Sequence, residues 1–372
     1  MKVVHVITGL GQGGAEAVLY RLVETPMTDC EHVVISLTTE GVYGERLRAL
    51  GISVHALHMR GLGDLLGVVR KLVRLFRSVR PDVIQTWMYH ADLVGGIAAR
   101  LLGKPVVWGV HHSSLEKKYT KRSTRMVAGA LARLSHFVPG AIVSCSVKAT
   151  GAHVGIGYVK RLFRVIPNGV DVSEYRPDER RRAEVRERLG IGSTDVVFCS
   201  VARFDPQKDH RNLVEAFFRA FPQNPRVHLV MCGSRITADN PELMSFFPSG
   251  ADLRRVHLLG PRDDVPWLLA ASDYFVLSSL SEAFPCVLVE AMAAGLPCVV
   301  TDVGDSAEIV EGAGWVAPPR RFADLAKMLE AASGLAAGER EAIAARARSR
   351  AIDLYDIKIM REAYKVTWNS VC

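Results

Sequence analysis

Short apolar runs rich in Val and Ile recur along this chain, separated by segments with helical periodicity. In the first half the runs are Val3–Thr8, His32–Thr38, Ser53–Leu57, Asp82–Trp87, Pro105–Val110, Ala141–Cys145 and Arg164–Ile166. Most are nearly continuous rather than alternating, which predicts parallel strands buried on both faces. Helical patterns fill the gaps, among them Ala15–Glu24, Leu65–Val79, Ala91–Leu102 and Arg122–Phe137. The second half repeats the logic with strands predicted at Val196–Ala202, Val227–Gly233, Val256–Leu259, Tyr274–Ser279, Pro297–Thr301 and Trp315–Ala317. Two successive βαβ arrays predict an α/β protein of two doubly wound, Rossmann-like domains. The turn-forming cluster Pro167-Asn168-Gly169-Val170-Asp171 marks the join. The expected domains are therefore residues 1–170 and 171–352, with 353–372 a C-terminal helix returning to the first domain. Sheets of this kind bind ligands beyond the carboxyl ends of their strands, so the active site is expected in a central cleft that the two domains face.

Composition narrows the class. The 372 residues, 49% hydrophobic and 23% charged, suffice for two cores and exclude disordered and fibrous classes. No run approaches the length of a membrane-spanning helix. Met1-Lys2 leads directly into a strand and a glycine loop, so no secretory signal is expected. The seven Cys form no C-x-x-C pair and read as buried thiols in a reducing cytosol, not as a disulfide framework or zinc site. Charge is uneven. Residues 1–170 hold 22 Lys and Arg against 10 Asp and Glu, a balance of +12; residues 171–372 hold 25 against 29, a balance of −4. A basic half of this kind suits nucleic acid, an anionic membrane surface or a phosphorylated substrate.

Candidate chemistry begins at Gly9-Leu10-Gly11-Gln12-Gly13-Gly14-Ala15-Glu16, between the first strand and a helix. Glycines here let backbone N–H groups and a helix N-terminus approach an anionic oxygen. Gly9, Gly11 and Gly14 satisfy G-x-G-x-x-G, and Glu40 stands where a ribose-binding acid belongs, so a nicotinamide-dependent oxidoreductase is a serious alternative on this segment. In the second half, Arg203 and Lys208 leave one strand end within five residues and could clamp a diphosphate. Further on, Glu282 and Glu290 lie eight residues apart, with a helix predicted to start between them. A carboxylate as apolar in its surroundings as Glu290 needs strong partners such as sugar hydroxyls. A helix N-terminal acid stabilised by the dipole explains Glu282 better than Glu290.

These three elements, with the Pro-Asn-Gly-Val-Asp hinge, resemble the retaining glycosyltransferases of family four, which have the GT-B fold, and the resemblance covers essentially the whole chain. It implies a nucleotide-sugar donor bound by the second domain and an acceptor bound by the first. It implies that Arg203 and Lys208 bind the donor's diphosphate and that Glu290 holds the ribose. Glu282 and the amides of Phe284, Pro285, Cys286, Val287 and Leu288 would hold the sugar and phosphate, with Gly13 and Gly14 approaching the reacting phosphate. The loop Thr301-Asp302-Val303-Gly304 also resembles the family's, but Asp305 stands where a second Gly is common. The family places a His after the fifth strand, where this chain has His111-His112. His111 matches the position best, His112 being the other candidate, and such a His bonds a sugar hydroxyl or shapes transition-state electrostatics. No D-x-D triplet occurs, so neither metal nor other cofactor is expected.

The excess cations gather at Gly67–Arg80 (with Arg70, Lys71, Arg74 and Arg77 around an apolar stripe of Val69, Leu72, Val73 and Phe76), at Lys117, Lys118, Lys121, Arg122 and Arg125, and at Tyr158–Arg164. Basic amphipathic stretches suit a membrane interface or a lipid diphosphate, although an ordinary surface helix with a buried stripe fits Gly67–Arg80 equally well. No stacking platform or nucleic-acid module accompanies them, which argues against nucleic acid. The expected protein is a metal-independent retaining hexosyl- or N-acetylhexosaminyltransferase. It would act on a lipid-linked or oligosaccharide acceptor for lipopolysaccharide or another cell-surface polysaccharide, peripherally on the inner face of the cytoplasmic membrane. A GT-B-like binding protein without turnover is the non-enzyme alternative.

Overall fold

The computed structural model describes residues 1–111 and 122–372, apart from the side chain of Leu62. The described residues form two compact units, one of residues 1–169 with 357–372 and one of residues 170–356. In the first unit the strands are β1 (Lys2–Ile7), β2 (Glu31–Ser36), β3 (Ser53–Ala56), β4 (Val83–Trp87), β5 (Val106–Val110), β6 (Ala141–Ser144) and β7 (Phe163–Val165). In the second they are β8 (Val196–Val201), β9 (Val227–Cys232), β10 (Val256–Leu258), β11 (Tyr274–Leu277), β12 (Cys298–Thr301) and β13 (Gly314–Ala317). Each expected strand is present, with its ends shifted by no more than a residue or two. Continuous apolar runs are legible because both sheet faces are covered: β4, β5, β6, β9, β11 and β12 are buried along their whole length.

All strand pairs are parallel. The first sheet runs β3-β2-β1-β4-β5-β6-β7 and the second β10-β9-β8-β11-β12-β13. Strand order therefore reverses between β1 and β4 in one unit and between β8 and β11 in the other. At such a reversal the two connecting loops diverge to opposite faces and leave a crevice beyond the strands' carboxyl ends. The loops that carry Arg203, Lys208 and Glu282 flank the second reversal. The Gly9–Gly14 loop and the turn after Trp87 flank the first.

The domain boundary is corrected by a few residues. Position 352 falls inside the helix Ala337–Tyr355, and the second unit ends at Asp356. The last helix, Ile357–Asn369, belongs to the first unit, where Trp368 donates its indole N–H to Gln85 Oε1 at 3.0 Å. The chain thus crosses between units twice, at Gly169-Val170 and at Asp356-Ile357, and Val170 N donates to Tyr355 O beside the second crossing. The cysteines are free thiols: Cys145, Cys199, Cys232 and Cys298 are buried, Cys30 and Cys286 half-buried, and Cys372 exposed rather than buried as expected.

Two buried carboxylates hold strand ends in place. Asp273, just before β11, accepts from Arg182 at 2.7 Å, Arg186 at 2.6 Å, Arg340 at 2.9 Å and Val197 N at 2.8 Å. It thereby ties the helices Glu179–Leu189 and Ala337–Tyr355 to the sheet. Removing it leaves the Arg186 guanidinium, only 4% exposed, without its counter-charge. Asp273→Ala should cost about 3 kcal/mol in urea unfolding; a loss below about 1 kcal/mol would show that carbonyl acceptors suffice for these arginines. In the first unit Asp92 accepts from Gly109 N at 3.2 Å and from Thr86 Oγ1 at 2.5 Å, joining β4 to β5. Complete burial pushes its carboxyl up to about 8. Folding then takes up a proton wherever the unfolded carboxyl is ionised, so this group favours the fold at low pH and loses that contribution as pH rises from about 4 to about 8. Urea unfolding of Asp92→Asn across that range should show less pH dependence than the parent, with the variant gaining on it as pH rises. Parallel curves would mean that the carboxylate is ionised in the fold.

Candidate active site

The second unit concentrates the expected donor-site residues at its sheet reversal. Beyond β8 the chain makes a turn capped by Asp205, whose side chain accepts from Gln207 N at 2.9 Å, before the helix His210–Ala220. Arg203, 58% exposed in its side chain, reaches Asp205 Oδ2 with Nε at 3.2 Å. Lys208 donates to Glu282 Oε1 at 2.5 Å. Ser279 Oγ donates to the same oxygen at 2.6 Å, so two donors hold a carboxylate that is only 11% exposed. The backbones are stitched as well. Leu280 N donates to Gln207 O at 2.7 Å, Ser278 Oγ to Lys208 O at 2.8 Å and Thr301 Oγ1 to Ser279 O at 2.6 Å. Three strand ends, those of β8, β11 and β12, meet at one half-buried ion pair.

Glu290 lies in the second turn of the helix Cys286–Ala293, which starts between the two glutamates as the spacing requires, and the residue is 6% exposed. That helix is preceded by Pro285 with no side-chain cap. Phe284, Pro285 and Leu288 are buried and Cys286 and Val287 half-buried, so what this stretch can offer a ligand is mainly backbone. Gly304 sits at φ +49°, where a Cβ would run into Glu282 O, so the loop after β12 closes over the Glu282 loop only because residue 304 is Gly. Asp305, at φ −90°, occupies a position that makes no such demand. Two contributors escaped the sequence reading. Ser279, which helps orient Glu282, reads as an ordinary strand end. Gly233, at φ +148°, presses against Ala202 O beside Arg203, and its signal was the Gly that ends the β9 run.

In the first unit the glycine loop leads into the helix Gly14–Val23, with Gly13 extended at φ −143° as its N-cap. The anion nearest this helix start is the chain's own: Glu16 folds back over Gly13, where a Cβ would overlap its carboxyl group, and burial pushes its carboxyl up. Glu40 is no ribose acid. It pairs with Arg48, which holds its carboxyl below the usual range, and the dinucleotide reading loses its acidic partner. His111 follows β5 directly, its ring stacked on Trp87 with centroids 4.9 Å apart and planes at 17°. His112, Lys117, Lys118 and Lys121 lie outside the described residues.

The basic helix Leu65–Val79 corrects one expectation. Val69, Leu72 and Phe76 are buried in the first unit's core and Val73 is half-buried against it, so the stripe serves the sheet and not a membrane. An amphipathic helix covering a parallel sheet has one apolar face, and here it is spent inward. Arg70, Lys71, Arg74, Arg77 and Arg80 are exposed. Among the described residues no helix is long and apolar enough to cross a membrane.

Known proteins match along both halves of the chain. Residues 12–174 fit the family model described as Glycosyltransferase Family 4, and residues 181–350 the one described as Glycosyl transferases group 1. The UDP-Gal:alpha-D-GlcNAc-diphosphoundecaprenol alpha-1,3-galactosyltransferase of Escherichia coli is 29% identical over 239 residues, which span 62% of this chain and 60% of that protein. The N,N'-diacetylbacillosaminyl-diphospho-undecaprenol alpha-1,3-N-acetylgalactosaminyltransferase of Campylobacter jejuni is 24% identical over 317 residues, 82% of each chain. The crystal structure of Anabaena HepE in complex with UDP-glucose aligns over 100% of both chains, with a TM-score of 0.85 and 25% identity. A half-buried Lys-Glu pair at the reversal of the second sheet, a glycosyltransferase model on each half and a full-length GT-B neighbour place this chain among the family-4-like glycosyltransferases.

Proposed function

We propose that the protein is a retaining, metal-independent hexosyl- or N-acetylhexosaminyltransferase. Its donor is a nucleotide-sugar, and its acceptor a lipid-linked saccharide destined for a cell-surface polysaccharide. The observation that carries the donor half is the convergence of Lys208 and Ser279 on Glu282, with Arg203 beside them and Glu290 on the adjoining helix. Two relatives that act on diphosphoundecaprenol-linked sugars support the acceptor half.

In this reading the second unit binds the departing nucleoside diphosphate. Departure concentrates negative charge on the diphosphate as the bond to the anomeric carbon weakens, and fixed cations favour that change. Arg203 supplies an exposed planar fork and Lys208 a point charge whose direction Glu282 sets. Glu290, on the helix that starts just beyond Glu282, accepts from the ribose hydroxyls, the role that the family resemblance gives it. Glu282, already held on Oε1 by two donors, turns its remaining oxygen to a sugar hydroxyl. The amides from Phe284 to Leu288, at a helix N-terminus, face phosphate oxygen. His111 bonds a sugar hydroxyl or steadies the positive charge that develops at the anomeric carbon, and Gly13 and Gly14 approach the phosphate once Glu16 has moved aside.

The first unit takes the acceptor. With the apolar stripe of Leu65–Val79 buried, its exposed cations act on a membrane by charge alone. Each cation near an anionic lipid surface contributes about 1 kcal/mol, enough for reversible, peripheral attachment.

Turnover tests the reading. Release of nucleoside diphosphate from a panel of nucleotide-sugars, with a short-chain lipid-diphosphate saccharide as acceptor, should persist in excess chelator. NMR of the product should show the donor's anomeric configuration kept. Arg203→Ala and Lys208→Ala should each reduce kcat/KM by ~100-fold or more, as loss of a charged hydrogen bond in the transition state does. Abolition by chelator with rescue by Mg²⁺ would overturn metal independence, an inverted product the stereochemistry, and donor binding without turnover the enzyme reading. Membrane attachment is tested by sedimentation with vesicles. Binding should require anionic lipid and fall steeply with salt, because the Debye length shrinks from ~10 Å at 0.1 M to ~3 Å at 1 M. Replacing Arg70, Lys71, Arg74 and Arg77 with Gln should release the protein. Equal binding to neutral vesicles would contradict a purely electrostatic contact.

A further inference from the structure

Trp87 ends β4 with its side chain wholly buried, yet its ring lies directly beneath His111. Its surroundings fix that ring in every direction. The indole N–H donates to His5 Nδ1 at 3.2 Å, and His5 Nε2 in turn meets His32 Nδ1 at 3.0 Å. Burial holds both imidazoles well below their ordinary range, so they are neutral and His5 can accept at Nδ1. Trp87 is also stacked with Tyr364 of the helix Ile357–Asn369, with centroids 5.7 Å apart and planes at 23°. Tyr364 is itself 1% exposed. His111, Trp87 and Tyr364 form a three-ring stack, two rings supplied by strand ends and the third by the chain's last helix.

The turn that follows is equally constrained. Met88 adopts φ +71°, costly for a residue with a Cβ, and its N–H donates to Gly109 O at 2.9 Å. Gly109 precedes His111 by two residues, and a Cβ there would lie 2.5 Å from Thr86 O, with His111 Nε2 also near at 3.4 Å. A strained turn and an obligatory small residue therefore bring the His111 ring down onto the indole.

We propose that Trp87 is a positioning residue for His111, backed by Tyr364. The inference rests on the reading that His111 acts at the donor sugar. A stacked imidazole keeps its plane, so the in-plane hydrogen bonds that its ring edge can make keep their direction. The two buried ring hydrogen bonds hold Trp87 still, because an indole N–H turned away from His5 would be left buried without its acceptor. The last helix is thus a support of the site that sequence order places farthest from it.

The test uses the full-length enzyme with variants Trp87→Leu, Trp87→Phe, Tyr364→Leu, His111→Ala and the double variant Trp87→Leu/His111→Ala. Loss of the indole face should lower kcat ~10-fold with donor KM changed less than about 2-fold, since misplacing a reacting group damages turnover more than binding. Trp87→Phe, which keeps an aromatic face, should recover most of the loss, and Tyr364→Leu should move in the same direction more weakly. The double variant should be no slower than His111→Ala alone. NMR of ring-labelled histidine should show His111 protons shifted upfield by the indole in the parent and not in Trp87→Leu. Should Trp87→Leu fail to fold, Trp87→Phe and Tyr364→Leu carry the comparison. Multiplying losses in the double variant would overturn the positioning role while leaving His111 in the site. A silent His111→Ala would overturn the reading of His111 itself, and an unshifted His111 spectrum in the parent would overturn the stack.

Discussion

The shared oxygen of Glu282 is the point on which the second unit's site depends. A carboxylate so little exposed is unfavourable unless its charge is met, and here Lys208 and Ser279 meet it from two different strand ends. Because Lys208 and Glu282 come from segments far apart in sequence, meeting one half-buried charge also fixes the spacing of the β8 and β11 loops. Arg203, Lys208 and the helix bearing Glu290 are then held in one place before any ligand arrives, the condition under which fixed charges do most for a reaction. Asp273 performs the complementary task at the other end of β11, where it carries structure and no chemistry.

Sheet topology decides where such an assembly can stand. Both sheets are parallel and covered on both faces, so functional groups have room only at strand ends, and the order reversals at β1/β4 and β8/β11 open those ends. The loops crowd so closely there that glycine becomes a steric requirement, at Gly304 against Glu282 O and at Gly233 against Ala202 O. In the first unit the same crowding yields a strained Met88 and the stacked Trp87 and His111.

The fold was legible because its signal is local. A strand buried on both faces must be apolar throughout, and runs such as Val83–Trp87 and Val106–Val110 announce themselves. The glycosyltransferase family and the GT-B fold were likewise readable, from the glycine loop, the hinge and the Arg203, Lys208 and Glu282/Glu290 elements taken together. What escaped was long-range. No spacing rule connects Ser278 to Lys208, or Tyr364 to Trp87, since those contacts exist only once the sheet has ordered its strands. The basic helix Leu65–Val79 misled in an instructive way. Its amphipathic pattern is the same whether the apolar side meets lipid or its own sheet, and only the packing of Leu72 and Phe76 decides for the sheet.

The central claim is that a nucleotide-sugar's diphosphate is held at the reversal of the second sheet. Hydrogen–deuterium exchange with and without UDP addresses it most directly, because backbone protection reports where the diphosphate sits without requiring knowledge of sugar or acceptor. The account predicts slowed exchange concentrated in residues 203–208 and 280–290. Unchanged exchange in both segments, with protection confined to the loop at residues 9–14, would contradict it.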